Sequence, residues 1–532
     1  MSKPFQKQHL YVFSLLILAT ILRLFALNTL PLGINQDEAM GAVDALALSK
    51  YGTDRFGTYL PTHFEAWGYS QMSVLLSYFM IPFIRFLGFN IIAIRLPLAL
   101  FSILSIYIIY LISKKLFTEK IALLIMFLTT INPWQIMQSR WALDCNIFPH
   151  LFLLAFYLLL CGLEKKRYLY FSMILFALTF YTYGVAIYTV PVFLFVFALH
   201  LLITKQVTLK TLLICALLFL FVSLPEIITM ALNLLKFPTL ETPFFTMPFF
   251  PDTIRGNDIL FMNFSFSQLF ENIWFMISSA FLQFPDHIFN SLPAFGPLYH
   301  ISTPFIFIGT FAMIKRLVAH KGTKQFSLDL ALLGFLLTGI LAGMLTYRVN
   351  INRINIIFYP LIILCGYGFY YIYTFIKSTS LKKIYLTTIP ITYILYFTGF
   401  IYSYHTDFKE EITTYFNVDF LEIMEDADSI DDIDTLIITP NMGWQTNTKM
   451  AEILTQYACN IDAKYFQGKT NVHKSKPLLA YTQRYYFVGH DFNYPLIKDN
   501  SLYILHTSEL DDFPYDYQIL IENNNFKGIA IK

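Results

Sequence analysis

The sequence predicts a polytopic α-helical membrane protein with a soluble α/β domain at its carboxyl end. The first observation is composition: of 532 residues, 56% are apolar and only 14% are charged, unlike a soluble globular protein. The second is order along the chain. Apolar segments long enough to cross about 30 Å of hydrocarbon recur up to residue 403, whereas residues 404–532 are charged and alternate between helix and strand periodicity. The predicted domains are therefore 1–403 and 404–532.

Basic clusters orient the predicted spans, because Lys and Arg concentrate on the cytoplasmic side of membrane proteins. Lys3 and Lys7 precede the first apolar run, which reads as an uncleaved anchor with its amino terminus inside. Keeping the basic clusters on that side gives about eleven spans, at residues 10–30, 91–112, 121–137, 147–163, 168–184, 186–203, 211–232, 302–319, 327–346, 354–376 and 384–403. The net charge of only +2 argues against a nucleic-acid partner.

Two loops on the outer side interrupt this pattern, at 31–90 and 233–301. In the first, Asn35 or Asp37 is expected to cap a helix over residues 38–50 that closes near Gly52. Its apolar segment 70–87 is predicted to lie in the membrane interface as a surface helix, because a further span there would place the lysines after residue 113 outside. The second loop is rich in Pro and Phe.

The tail from residue 404 has the periodicity of an α/β unit. Helices are expected at 413–427 and 446–458, and strands at 435–439, 485–488, 501–505, 518–522 and 528–531. No catalytic motif is visible in it. Its predicted role is to recognise or position an acceptor on the extracytoplasmic side.

Candidate functional side chains lie at the outer ends of the predicted spans. The adjacent carboxylates Asp37 and Glu38 are the starting point, because acidic groups at a membrane edge are costly to hold there. On a helix the two point about 100° apart, so only one of them faces a given substrate. The other outer features are Arg140 with Asp144, Tyr181 with Tyr183, and Arg348 with Arg353.

Each feature also has a purely structural explanation. Arg140 and Asp144 are four residues apart and could pair on one helix face, the tyrosines fit an interfacial aromatic belt, and the other arginines could reach lipid headgroups. Together, however, arginines suit a phosphate through bidentate hydrogen bonds, and a carboxylate beside them can take a proton from an acceptor. This combination indicates glycosyl transfer from a phosphate leaving group.

The order of these residues resembles the membrane glycosyltransferases of the GT-C fold, in particular the protein O-mannosyltransferase and aminoarabinose-transferase branch. The resemblance covers about residues 10–370. It rests on Asp37-Glu38 after the first span, and then on Trp67, Tyr78, Pro82, Gly88, Arg95-Leu96-Pro97, Pro133, Ser139-Arg140, Asp144, Tyr181-Thr182-Tyr183 and the polar residues at Asn352.

The resemblance implies a polyprenyl-phosphate-linked sugar as donor, inversion at the anomeric carbon and transfer on the extracytoplasmic side. Asp37 would be the general base or its organiser, Glu38 a supporting carboxylate and Asp144 the second acidic residue. The donor phosphate would be held by Arg140 and Arg353, with Arg348 as a further candidate. The substrate cavity would be lined by Tyr181, Tyr183, Trp67, His63 and Glu65.

Several points stay open at this stage. Asp37 and Asp144 could ligate Mg²⁺ or Mn²⁺ through oxygen, but no spacing requires it. The acceptor could be a glycan, a lipid or a protein, and the tail does not resemble the β-trefoil domain of eukaryotic protein mannosyltransferases. The alternative functions are a transporter or flippase for a lipid-linked glycan, which should show internal repeats, and a non-catalytic scaffold.

Overall fold

A computed structural model describes residues 3–67, 70–251, 264–467 and 479–532. The helices of the amino-terminal half are α1 (Lys3–Leu24), α2 (Gln36–Tyr51), α3 (Leu75–Leu87), α4 (Ile91–Leu116), α5 (Glu119–Thr130), α6 (Pro133–Gln138), α7 (Phe148–Gly162), α8 (Arg167–Leu178), α9 (Ala186–Ile203) and α10 (Leu209–Leu235). Those that follow are α11 (Phe266–Phe275), α12 (Thr303–Ala319), α13 (Lys324–Leu345), α14 (Ile351–Ile354), α15 (Phe358–Phe375), α16 (Thr379–His405), α17 (Asp407–Tyr415), α18 (Val418–Asp428), α19 (Thr448–Ala458), α20 (Ala463–Phe466) and α21 (Tyr481–Arg484). The strands are β1 (His63–Ala66), β2 (Ser70–Ser73), β3 (Leu240–Glu241), β4 (Thr246–Met247), β5 (Thr435–Ile438), β6 (Tyr485–Phe487), β7 (Ser501–His506), β8 (Tyr517–Glu522) and β9 (Phe526–Ile531).

Contacts divide the chain into two compact units. The membrane unit contains Met1–Phe25, Leu98–Leu234 and Ile254–Phe408. The loop-and-tail unit contains Ala26–Pro97, Leu235–Thr253 and Lys409–Lys532. Segments of both outer loops thus belong to the same contact unit as the tail, and the boundary at 403/404 between folding domains stays a prediction.

Long apolar helices confirm a multi-pass membrane protein. Eight helices in the described part of the chain are long and apolar enough to cross a membrane, and each coincides with one of the predicted spans. The remaining three predicted spans correspond to α1, α5 and α8, whose apolar stretches are shorter, so the count of eleven stays a prediction. Helices α12 and α15 pack closely at Gly309, where an added Cβ would lie 1.9 Å from the Leu364 carbonyl oxygen, a packing mode in which small residues let membrane helices approach.

Two predicted segments are interrupted in the structure. The span at 121–137 breaks between α5 and α6, because the Asn132 side chain accepts from the Gln135 amide and Pro133 begins a new helix. The surface helix at 70–87 begins only at Leu75, since residues 70–73 form β2 and pair antiparallel with β1. At 13 residues, α3 measures about 20 Å and is shorter than a hydrocarbon core.

The tail contains a five-stranded sheet of order β6-β5-β7-β9-β8. Strands β6, β5 and β7 are parallel, whereas β9 runs antiparallel to both β7 and β8. All five predicted strands are therefore confirmed within one or two residues. The predicted helix at 413–427 is two helices, because Asn417 has a left-handed backbone (φ 54°) between α17 and α18.

Loop 31–90 and the tail pack together within the loop-and-tail unit. Helix α19 packs against α2, and the Ile34 amide donates to the Phe416 carbonyl at 2.9 Å. Gly33 sits at this junction with φ +77°, and a Cβ there would lie 2.3 Å from the Phe416 oxygen. The absence of a side chain at position 33 is what permits the contact.

Gly33→Ala is therefore expected to destabilise this unit by roughly 1–3 kcal/mol through backbone strain, and further through the clash with Phe416. Thermal unfolding of the purified protein measures the loss. Gly322→Ala is the control, because Gly322 also has a positive φ (+84°) but no atom within 4 Å of the added Cβ. Equal losses in the two variants would contradict the clash.

Candidate active site

The first turn of α2 carries the two adjacent carboxylates. Asn35 caps this helix by accepting from the Asp37 amide at 3.0 Å, and Gly52 closes it in the left-handed conformation (φ 69°). The predicted helix and its ends are thus confirmed, with Asn35 as the cap. The Asp37 side chain is not needed for capping and is half-buried, and its Oδ1 accepts from the Trp67 indole Nε1 at 3.1 Å.

Glu38 points the other way and is fully buried. It forms a bidentate ion pair with Arg95, in which Nε donates to Oε1 at 2.9 Å and Nη2 to Oε2 at 3.0 Å, and both side chains are 0% exposed. Arg95 also donates to the Pro31 carbonyl at 2.7 Å and the Gly33 carbonyl at 2.8 Å. Glu38 and Arg95 therefore fix the backbone that presents Asp37.

A second ion pair ties α2 to the following strand. Asp44 accepts from the Arg55 amide at 3.0 Å and pairs with the Arg55 guanidinium. The same guanidinium donates to the Glu65 carbonyl at 2.6 Å. Burial raises the pKa of the Asp44 carboxyl, and the Arg55 charge opposes that shift. On β1, His63 is buried and Glu65 is half-buried, and their predicted acceptor contacts stay predictions.

In the membrane unit, Arg140 lies against the end of α1. It is 2% exposed and donates to the carbonyls of Leu22 at 2.9 Å and Phe25 at 2.7 Å. Cations are favourable beside the carboxyl end of a helix, where carbonyls lack helical partners. These bonds give Arg140 a structural task, and its contact with a donor phosphate stays a prediction.

Asp144 begins a short 3₁₀ turn, Asp144–Ile147, and its Oδ1 accepts from the Cys145 amide at 2.7 Å. Because α6 ends at Gln138, Arg140 and Asp144 do not share a helix face. Of the two tyrosines, Tyr181 donates its hydroxyl to the Val222 carbonyl at 2.8 Å, and Tyr183 is half-buried.

The late polar segment is ordered by Asn350, whose side chain caps α14 by accepting from the Arg353 amide at 3.0 Å. The Arg353 guanidinium donates to the Tyr347 carbonyl at 2.5 Å and is half-buried. Arg348 is exposed and lies 5.6 Å from the Tyr347 ring centre, on a backbone with φ 54°. Of these two arginines, Arg353 is the more firmly positioned.

Within the described ranges, no group of three or more His, Cys, Asp or Glu side chains is placed to hold a metal ion. A cation held by Asp37 and Asp144 would need water or phosphate oxygens as its other ligands, as Mg²⁺ commonly does. The Mg²⁺ or Mn²⁺ site therefore stays a prediction.

Four buried arginines had no role predicted from the sequence: Arg23, Arg55, Arg95 and Arg484. Arg23 is 0% exposed near the end of α1, and it donates to the Gln135 side chain at 2.7 Å and the Thr130 carbonyl at 3.1 Å. For Arg23 and Arg95 the available signal was a cation inside an apolar run, which is costly unless it is paired. Their partners are distant in sequence, and no local pattern reveals them.

Comparisons with known proteins agree with this architecture. The family described as dolichyl-phosphate-mannose-protein mannosyltransferase matches residues 72–228. No curated protein matches the sequence.

Solved structures match over nearly the full chain. ArnT from Cupriavidus metallidurans in the apo state is 10% identical with a TM-score of 0.61, over 99% of this chain and 98% of that one. The same enzyme bound to undecaprenyl phosphate is 11% identical with a TM-score of 0.56, over 98% and 97%. The oligosaccharyltransferase AglB from Archaeoglobus fulgidus, solved with an inhibitory peptide and a dolichol-phosphate, is 13% identical with a TM-score of 0.51, over 90% of this chain and 65% of that one. At these identities the likeness shows the fold alone: the chain has the fold of ArnT and AglB, and residues 72–228 within it match the mannosyltransferase family model.

Proposed function

We propose that the protein transfers a hexosyl or pentosyl group from a polyprenyl-phosphate donor to a glycan, lipid or protein acceptor on the extracytoplasmic face. The observation behind the catalytic assignment is that the two adjacent carboxylates differ in burial and in partner. Glu38 is buried in its pair with Arg95, while Asp37 remains half-buried at the start of α2. Asp37 is therefore the member of the pair that can meet a substrate.

The proposed step is a single displacement with inversion. The acceptor hydroxyl or amine attacks the anomeric carbon and its proton passes to the Asp37 carboxylate. The bond from that carbon to the phosphate oxygen breaks, and polyprenyl phosphate leaves with the electron pair. Arg353 and Arg140 are proposed to stabilise the phosphate charge, and Asp144 is proposed as the second acidic group of the site.

Support for a lipid-phosphate donor comes from the relatives of the same fold. The ArnT structure contains undecaprenyl phosphate and the AglB structure contains a dolichol-phosphate. For this chain, the sugar, the acceptor and the extracytoplasmic orientation belong to the proposal.

Donor cleavage is the direct test of the proposed function. The detergent-purified protein is mixed with a panel of polyprenyl-phosphate sugars and an extract of cell-envelope acceptors, and free polyprenyl phosphate is measured. Acceptor-dependent release from at least one donor is expected. Proteoliposomes holding the same donors provide the contrast: a donor that changes leaflet without being cleaved would overturn transfer in favour of a flippase. Adding EDTA to the release assay tests whether transfer requires a divalent cation. If it does, removal of the cation should stop the release of polyprenyl phosphate.

A further inference from the structure

An apolar cavity of about 530 Å³ lies among α7, α8, α9 and α10 of the membrane unit. Every side chain that lines it is apolar, from Leu159 on α7 to Leu220 on α10, apart from the Cys215 thiol. Its volume is within the range of ligand pockets, about 300–1,000 Å³. None of the residues proposed above for sugar transfer lines this cavity.

The cavity lies beside faces of α9 and α10 that are mostly exposed. Only 33% of the apolar window of α9 and 22% of that of α10 is buried. Three of the lining residues on these two helices are at least half exposed: Phe195 at 71%, Leu213 at 56% and Leu220 at 50%. A hydrocarbon chain can therefore enter sideways from the bilayer.

Cations flank one end of this cavity. Arg167 precedes the lining residue Leu169 by two positions, Lys205 follows Leu201 by four, and Lys210 precedes Leu212 by two. Arg167 and Lys210 lie on α8 and α10, where two positions measure about 3 Å along the axis at a rise of about 1.5 Å per residue, and Lys205 lies two residues beyond the end of α9. All three cations are exposed, so they form a basic rim, defined here as Arg167, Lys205 and Lys210.

The acidic group near this rim is already engaged. Glu164 pairs with Lys115 at 3.2 Å and with Lys324 at 3.4 Å. The adjacent Lys165 and Lys166 are exposed and add to the positive charge. An anion at the rim would thus meet an excess of positive charge.

We infer that the cavity and its basic rim bind a membrane phospholipid with an anionic headgroup. One acyl chain would fill the cavity, and the headgroup phosphate would lie at the rim, since basic pockets between membrane helices suit anionic lipids. The site holds α9 and α10, whose faces are mainly exposed, against α7 and α8. The inference does not depend on the sugar donor or on Asp37.

Lipid retention measured by native mass spectrometry tests this inference. The delipidated protein is incubated with phosphatidylglycerol or with phosphatidylcholine of identical chains. A preference of roughly tenfold or more for phosphatidylglycerol is expected, equivalent to about 1.4 kcal/mol. Equal retention of the two lipids would overturn the anionic headgroup.

Two sets of variants separate the rim from the cavity. The combined change Arg167→Gln, Lys205→Gln and Lys210→Gln should bring the preference close to one, whereas the control Lys377→Gln, Lys382→Gln and Lys383→Gln, made at another basic cluster, should preserve it. Filling the cavity with Ala198→Phe or Ala216→Phe should lower retention of both lipids. Undiminished retention in folded cavity variants would overturn the site, as would displacement of phosphatidylglycerol by equimolar polyprenyl phosphate. The rim variants decide the question if the cavity variants fail to fold.

Discussion

Replacing Asp37 by asparagine is expected to lower sugar transfer by roughly 10²–10⁴-fold, the usual contribution of a general base. The asparagine amide cannot take the proton from the attacking hydroxyl or amine. Its oxygen can still receive the hydrogen bond from the Trp67 indole, which spans 3.1 Å in the wild-type protein. The unfolding temperature should therefore stay unchanged. Initial rates of polyprenyl phosphate release at saturating donor measure the effect.

Trp67→Phe is the control for this substitution. It removes the indole donor and keeps the carboxylate, so it should disturb orientation and lower the rate by less than Asp37→Asn does. A wild-type rate in Asp37→Asn would show that another group takes the proton. If donor binding were lost as well, Asp37 would be holding the donor instead.

Arg95→Met is expected to produce the largest loss of stability, about 3–5 kcal/mol, because it leaves the Glu38 carboxylate buried without its partner. Arg95 also holds the Pro31 and Gly33 carbonyls, so the segment before α2 should loosen with it. Thermal unfolding measures the effect on stability. Limited proteolysis within residues 27–35 measures the loosening.

Arg85→Met is the matched control, because Arg85 is exposed on α3 and donates only to the Ser49 carbonyl among its described hydrogen bonds. It should cost much less. The double variant Arg95→Met with Glu38→Leu should recover part of the stability, since no charge then remains buried. Additive losses in the double variant would contradict the ion pair as the cause.

Local chemistry made part of the structure predictable. Asn35 and Gly52 announce the two ends of α2, because an amide side chain can cap a first turn and glycine accepts the left-handed conformation. The tail strands could also be predicted, since their apolar and β-branched residues are clustered between polar turns. Both signals lie within a few residues of the element they define.

Long-range pairing could not be predicted in the same way. No residue near Glu38 in the sequence indicates that its partner is Arg95, 57 positions away. The different roles of Asp37 and Glu38 depend on that ion pair. Strand β2 was missed for a related reason, because its four residues are stabilised by pairing with β1 and not by their own pattern. Likewise, Arg140 is a plausible phosphate ligand by type, while its bonds to the end of α1 follow from the fold alone.

The loop-and-tail unit combines segments of the chain that are synthesised at different times. Residues 26–97 are made early, whereas the α19 surface that packs on α2 and the Phe416 carbonyl that meets Ile34 belong to the last quarter of the chain. At typical translation speeds this interval lasts on the order of tens of seconds. During it, the face of α2 that will receive α19 has no partner of its own chain. A protein truncated after α16 would keep that face of α2 uncovered. The tail therefore completes the packing of the helix that presents Asp37.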